Sequence, residues 1–139
     1  MIDRARELVL AYGWNATAYQ IVNPGIEHWY ASAGDAVVGY VERAGVRVVA
    51  GAPVCAVGRL EAVSEEFELD AHRCRLRVCY FGAESRLEEL YRPDPLNARV
   101  LLGAQPVWNP AAWPRIVAGN SAIRAQLNRA RNKAITVSE

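Results

Sequence analysis

A chain of 139 residues, 52% hydrophobic and 22% charged, has room for one packed core and is too short to expect two. That composition excludes a disordered chain, and no apolar run approaches the roughly 20 residues that span a bilayer. The opening "MIDRARELVL" carries charges where a secretion signal needs an apolar centre, so a cytoplasmic protein is expected. The net charge of +1 hides a polarity: residues 1–94 hold ten Arg against fourteen Asp or Glu, whereas residues 95–139 hold five Arg and one Lys against Glu139 alone. Such a split can steer an anionic partner even when the total is near zero.

In chain order, Ala5, Leu8, Val9 and Tyr12 recur at helical spacing behind Asp3 and ahead of Gly13, which predicts a first helix over 3–12. An aromatic-rich stretch follows, broken by the turn signal Asn23-Pro24-Gly25. "EHWYAS", "AVVGYVER" and "VRVVAG" then predict three strands joined through Ala33-Gly34-Asp35 and Ala44-Gly45, an antiparallel meander. From Val57 to Cys74 the period changes. Leu60, Val63, Phe67, Ala71 and Cys74 fall on one stripe of a helix whose other faces carry Glu61, Glu65, Glu68 and Arg75. "VCYF" at 78–81 is a continuous apolar run, expected to be a strand covered on both faces with Cys79 packed and inert. "ESRLEELYR" predicts a short helix with Leu87, Leu90 and Tyr91 inward, and "ARVLLGAQPVW" a further strand interrupted near Gly103 and ended by Pro106. Pro110 and Pro114 punctuate the passage into a last helix over 121–133, and "ITVS" has β character. The fold class expected is α/β (α+β): a mixed sheet with an antiparallel meander and helices on both faces.

The meander ending in "VRVVAGAPVC", the strand "VCYFGAE" and the segment "VLLGAQPVWNPAAWPRIVAGNSAIRAQLNRARNKAITV" together resemble the C-terminal domain of bacterial phosphatidylglycerol lysyltransferases. The most specific part is the final helix, here Ile123-Arg124 and Leu127-Asn128-Arg129-Ala130-Arg131. The resemblance implies an acetyltransferase-like lobe from a tandem pair that moves an amino acid from aminoacyl-tRNA to a lipid headgroup. Residues 1–139 match the first lobe, ending in a linking basic helix at 120–133 and the start of a strand. Gly51-Ala52-Pro53 stands where many relatives have Gly-Asp-Pro, so no role for that acid carries over.

Transfer from an ester donor needs no metal and no covalent enzyme intermediate. It needs positioned reactants, donors for the developing oxyanion and cationic surface for phosphates. Arg124 and Arg131, seven apart, share one side of the last helix, and Arg129 and Lys133, four apart, share another. These four are the candidate phosphate-binding residues; the competing reading is a solvated or salt-bridging face. Candidates for chemistry are His28, able to act as acid or base near neutral pH, and Tyr80 and Glu84, at the C-terminal end of an inner strand. Strand alternation puts His28 with Tyr30 and Glu27 with Trp29. His72, one turn beyond Glu68, is expected in a surface ion pair. Three cysteines without C-x-x-C spacing and two scattered histidines give no metal site.

Three functions stay open at this point. The first is an aminoacyltransferase lobe using aminoacyl-tRNA and an anionic phospholipid, peripheral at the inner membrane face and lacking its second lobe. The second is a non-catalytic module that pairs as a homodimer. The third is a coenzyme A-dependent acyltransferase, although "RPDPLNARVLLGAQ" lacks a glycine-rich pyrophosphate loop.

Overall fold

A computed structural model describes residues 2–92, 96–104 and 109–136. The chain divides into two compact units, Met1–Val100 and Leu101–Glu139.

The first unit is built on a four-stranded mixed sheet in the order β1-β2-β3-β4, with β1 Glu27–Tyr30, β2 Val37–Arg43, β3 Val46–Ala50 and β4 Arg77–Phe81. The three meander strands pair antiparallel, Trp29 opposite Val38 and Tyr40 opposite Val49. Ala44 and Gly45 turn β2 into β3 with φ of 50° and 75°, the two left-handed residues a tight hairpin turn requires. Strand β4 runs parallel to β3, Val49 opposite Tyr80, which a tight turn cannot achieve. The crossover is helix α2, Leu60–Arg73, entered through a 3-10 turn at Val57–Arg59.

One face of the sheet is packed by α2 and by α3, Glu84–Tyr91. Leu60, Val63, Phe67 and Leu87 meet Val38, Tyr40 and Val49 there, with Trp29, Val78, Leu90 and Tyr91 closing the edges. Phe67 is wholly buried and meets Trp29 edge-on at 5.4 Å and Tyr40 at 5.7 Å. The opposite face is covered at the β1–β2 end by α1, Ile2–Tyr12, and by a 3-10 helix, Ala16–Val22, which the sequence reading did not anticipate. Asn15 caps that 3-10 helix, its Oδ1 accepting from the Ala18 amide at 2.8 Å. Gly39 is needed beneath it, because a Cβ there would stand 2.5 Å from the Ile21 Cβ. The expected fold class holds, with helices on both faces.

Several local expectations do not hold. β4 lies at the edge of the sheet, so its outward residues are uncovered: Phe81 is 61% exposed, and Cys79 is exposed rather than packed. Cys74 also lies outside the α2 stripe, because the helix ends at Arg73 and the chain turns away through Arg75 at φ 60°. The strand expected across 98–108 is not formed in its described part: residues 98–104 have no regular structure, and Val100 and Leu101 are 75% and 91% exposed. An apolar β-type run gains strand geometry from a ladder partner, and no ladder includes this run among the described residues. Residues 105–108 and 137–139 lie outside the described residues, as does half of the expected terminal strand, and Ile135 and Thr136 have no regular structure.

In the second unit, Pro114 sits within the first turn of an additional short helix, α4, Trp113–Gly119, a position where its missing N–H costs nothing. Helix α5, Ser121–Asn132, follows directly. Asn120 caps it by accepting from Ala122 and Ile123, and Ala134 ends it at φ 54°.

Because Phe67 fills the space between α2 and three strands, Phe67→Ala is expected to cost about 3–5 kcal/mol. Urea denaturation of the two proteins measures that difference; a loss below about 1 kcal/mol would mean that Phe67 is not packed as described.

Candidate functional site

The strand candidates separate. His28 and Tyr30 share the outer face as alternation requires, ring centroids 6.4 Å apart. His28 Nε2 lies 2.7 Å from the Ile21 carbonyl oxygen, to which it donates, so this ring ties β1 to the 3-10 helix. Tyr80 and Glu84 also part company. Tyr80 points under α2 and Glu84 stands beyond the strand's end.

Tyr80 belongs to a polar cluster that no local sequence pattern announces. Its phenol donates to Glu68 Oε1 at 3.0 Å, and Tyr91 donates to the same oxygen. The two hydroxyls are 3.4 Å apart, and their rings are tilted by 33° at 5.6 Å. Glu68 therefore serves the two phenols, and His72, expected beside it, is in none of the ion pairs among the described residues. Burial drives the Tyr80 phenol far above its ordinary pKa, and neighbouring Tyr91 and Glu68 push the same way. Tyr91 is raised too, first by burial and then by its bond to Glu68. A single carboxylate gathered between two half-buried phenols locks α2, β4 and α3 together.

A second cluster lies at the C-terminal ends of the parallel pair, where open α/β sheets commonly bind ligands. The Gly51 amide donates to the Phe81 carbonyl at 2.8 Å, so the two strands end side by side. The chain leaves β4 through Gly82 at φ 68° and enters α3 through Glu84 at φ 55°. A non-glycine residue held in that region stores about 1–3 kcal/mol of strain, a mark of functional turns. Asn15 Nδ2 donates to Glu84 Oε1 at 2.8 Å. Arg86 lays its guanidinium over the Trp14 ring at 4.4 Å and donates from Nη2 to the Cys55 carbonyl at 2.6 Å. Trp14 Nε1 and Arg86 Nε are buried and meet no acceptor among the described residues. Each unmatched buried donor costs about 1–3 kcal/mol. Cys55, 1% exposed, has its thiol pushed up by burial and is no nucleophile.

The cationic residues sit in the second unit. A shallow groove between α4 and α5 is lined by Val117, Arg124, Leu127, Asn128 and Arg131, so Arg124 and Arg131 do share one side of the helix. Arg124 donates from Nη1 to the Val117 carbonyl at 3.4 Å and to that of Ala118, placing a cation on the negative end of α4. Arg129, Arg131 and Lys133 are exposed around the last turn of α5. Among the described residues no cluster of His, Cys, Asp and Glu could hold a metal ion. None of their helices is long and apolar enough to cross a membrane.

A family model described as phosphatidylglycerol lysyltransferase, C-terminal, matches residues 6–139. Among solved structures the chain is similar to L-PGS from Bacillus licheniformis, with 21% identity, a TM-score of 0.58 and coverage of 66% of this chain and 28% of that one. It is also similar to the C-terminal domain of a "Putative Lysylphosphatidylglycerol Synthetase" from Agrobacterium fabrum, at 18% identity and a TM-score of 0.51, covering 58% of this chain and 25% of that one. At such identity the likeness speaks for the fold, and the chain spans only about a quarter of the length of either structure. No curated protein matches. The chain belongs to the phosphatidylglycerol lysyltransferase C-terminal family.

The raised phenols give stability a pH dependence with a definite sign. Above the ordinary tyrosine pKa of about 10 the unfolded chain gives up phenol protons that folded Tyr80 and Tyr91 retain, so stability falls as pH rises from there. Denaturation midpoints between pH 9 and 11 are expected to fall more steeply for the parent protein than for Tyr80→Phe. Equal slopes would mean that Tyr80 is not buried.

Proposed function

We propose that this chain is a lobe of an aminoacyltransferase that carries an amino acid from aminoacyl-tRNA to the headgroup of an anionic phospholipid. The observation that carries this reading is the family match over 6–139, joined to a cationic α5 on which Arg124, Arg129, Arg131 and Lys133 are all exposed. The acceptor hydroxyl attacks the ester carbonyl of the donor. The ester bond to the tRNA ribose breaks, a new ester forms, and the proton leaving the acceptor ends on the ribose oxygen. One ester replaces another, so the protein's task is to hold two reactants together and to receive the charge on the carbonyl oxygen. Neither a metal nor coenzyme A enters that scheme. The four cations of α5 offer the charge that tRNA and headgroup phosphates require, and such contacts weaken with salt through counterion release. In this reading the protein works in the cytoplasm at the inner face of the membrane.

The outer face of β2, β3 and β4 favours a second, non-catalytic role, the pairing of two copies. Val41, Val48 and Phe81 lie there 41%, 38% and 61% exposed, and β4 has an open edge among the described residues. A parallel pair is ordinarily covered on both faces, and open edges invite pairing.

Incubation with charged tRNA and vesicles containing phosphatidylglycerol is expected to yield aminoacylated lipid, with Arg129→Ala/Arg131→Ala/Lys133→Ala reducing the yield at least about tenfold. Aminoacylated lipid in equal amount from parent and triple variant would discard the role of α5. No product at any ionic strength, together with a dimer by light scattering, would favour the pairing role instead.

A further inference from the structure

The cluster at the ends of β3 and β4 has a chemistry of its own, distinct from the cations of α5. Two N–H donors, Trp14 Nε1 and Arg86 Nε, are buried without an acceptor among the described residues. Arg86 cannot swing away to find one cheaply, since its Nη2 is held by the Cys55 carbonyl and its plane rests on the indole. Trp14 is held as well: its ring lies 3.7 Å from where a Cβ on Gly51 would stand. A few residues away along α3's first turn, Asn15 engages one oxygen of the Glu84 carboxylate and leaves the other as an acceptor. Glu84 is kept in this place by a backbone conformation that L-residues rarely adopt. The set thus offers donors for an oxygen and an acceptor for a protonated amine, on three segments that meet beyond two parallel strands.

We propose that this cluster binds an α-aminoacyl group, its ammonium on Glu84 and its carbonyl oxygen on Trp14 Nε1 and Arg86 Nε. The proposal rests on the aminoacyltransferase reading and deepens it, since it assigns the amino-acid end of the donor to Trp14, Glu84 and Arg86. Pre-set donors that meet an acceptor only when the aminoacyl carbonyl arrives also suit the charge that develops on that oxygen during transfer. Asn15 is a positioning residue: it holds the carboxylate and does not meet the ligand.

Amide-resolved NMR titration with L-alaninamide tests this on the intact chain, because Trp14→Phe identifies the Trp14 indole signal among those of the four tryptophans. Binding is expected to shift that indole N–H downfield together with the amides of Gly82, Glu84 and Arg86. N-acetyl-L-alaninamide, which lacks the ammonium, is expected to bind at least about tenfold more weakly, and Glu84→Gln to lose the same factor. Arg86→Lys, which keeps the charge and loses the planar fork, is expected to abolish the indole shift. Equal affinity for the two amides, an unmoved Trp14 indole, or no binding at about 50 mM ligand would overturn the proposal. A protein that transfers amino acid to lipid while failing these tests would refute this site alone. One that binds the amide here yet transfers nothing would leave the site standing and remove the function proposed above.

Discussion

Phe67 holds the first unit together. From the middle of the crossover helix it reaches Trp29 of β1 and Tyr40 of β2, and the Arg47 guanidinium of β3 lies 5.5 Å above its ring. Arg47 is 7% exposed and donates to Asp70, one turn further along the same helix, at 2.6 Å. One helix is thereby fixed to three strands by an aromatic contact and a charged one. The remaining consequence is topological: a helix anchored over β1–β3 must deliver the chain back alongside β3, which makes β4 parallel.

That parallel pair sets out both clusters described above. Antiparallel strands end at opposite edges, whereas β3 and β4 end together, joined by the bond from Gly51 to Phe81. Beyond those ends the chain must turn twice in a small space, and the left-handed Gly51, Gly82 and Glu84 make the turns. Below them Tyr80 faces α2 and finds Glu68, while Tyr91 arrives from α3. Position in the fold, more than residue type, separates a carboxylate serving as a brace, Glu68, from one left with an oxygen to offer, Glu84.

The legible part of this molecule was whatever repeats along the chain. Leu60, Val63, Phe67 and Ala71 announced α2 because a helix returns them to one side every turn, and all four are buried. Ala44-Gly45 announced a hairpin, and the two residues adopt the left-handed pair it needs. The misread parts depended on neighbours distant in sequence. "VCYF" has the composition of an inner strand, yet its position at the sheet edge leaves Cys79 and Phe81 exposed. Pro114 reads as punctuation in the sequence, but the first turn of a helix accepts it. The polar contacts were invisible for the same reason: Glu68 is 12 residues from Tyr80, and Asn15 is 69 from Glu84. No local pattern links such pairs, because a backbone that crosses the sheet brings them together. Glu84 stands out by its place after a strand, which is a topological clue that sequence can carry.

Each unit carries a chemistry of its own, the second an exposed array of cations and the first a buried pair of N–H donors. The attraction of phosphates proposed for Arg124, Arg129, Arg131 and Lys133 has a thermodynamic signature. Equilibrium binding of charged tRNA to this chain, measured from about 50 to 300 mM salt, tests it most directly. Four phosphate contacts predict a logarithmic affinity that falls with a slope of about −3 against the logarithm of salt. A slope near zero, or one unchanged when Arg129, Arg131 and Lys133 are all replaced by alanine, would contradict the account.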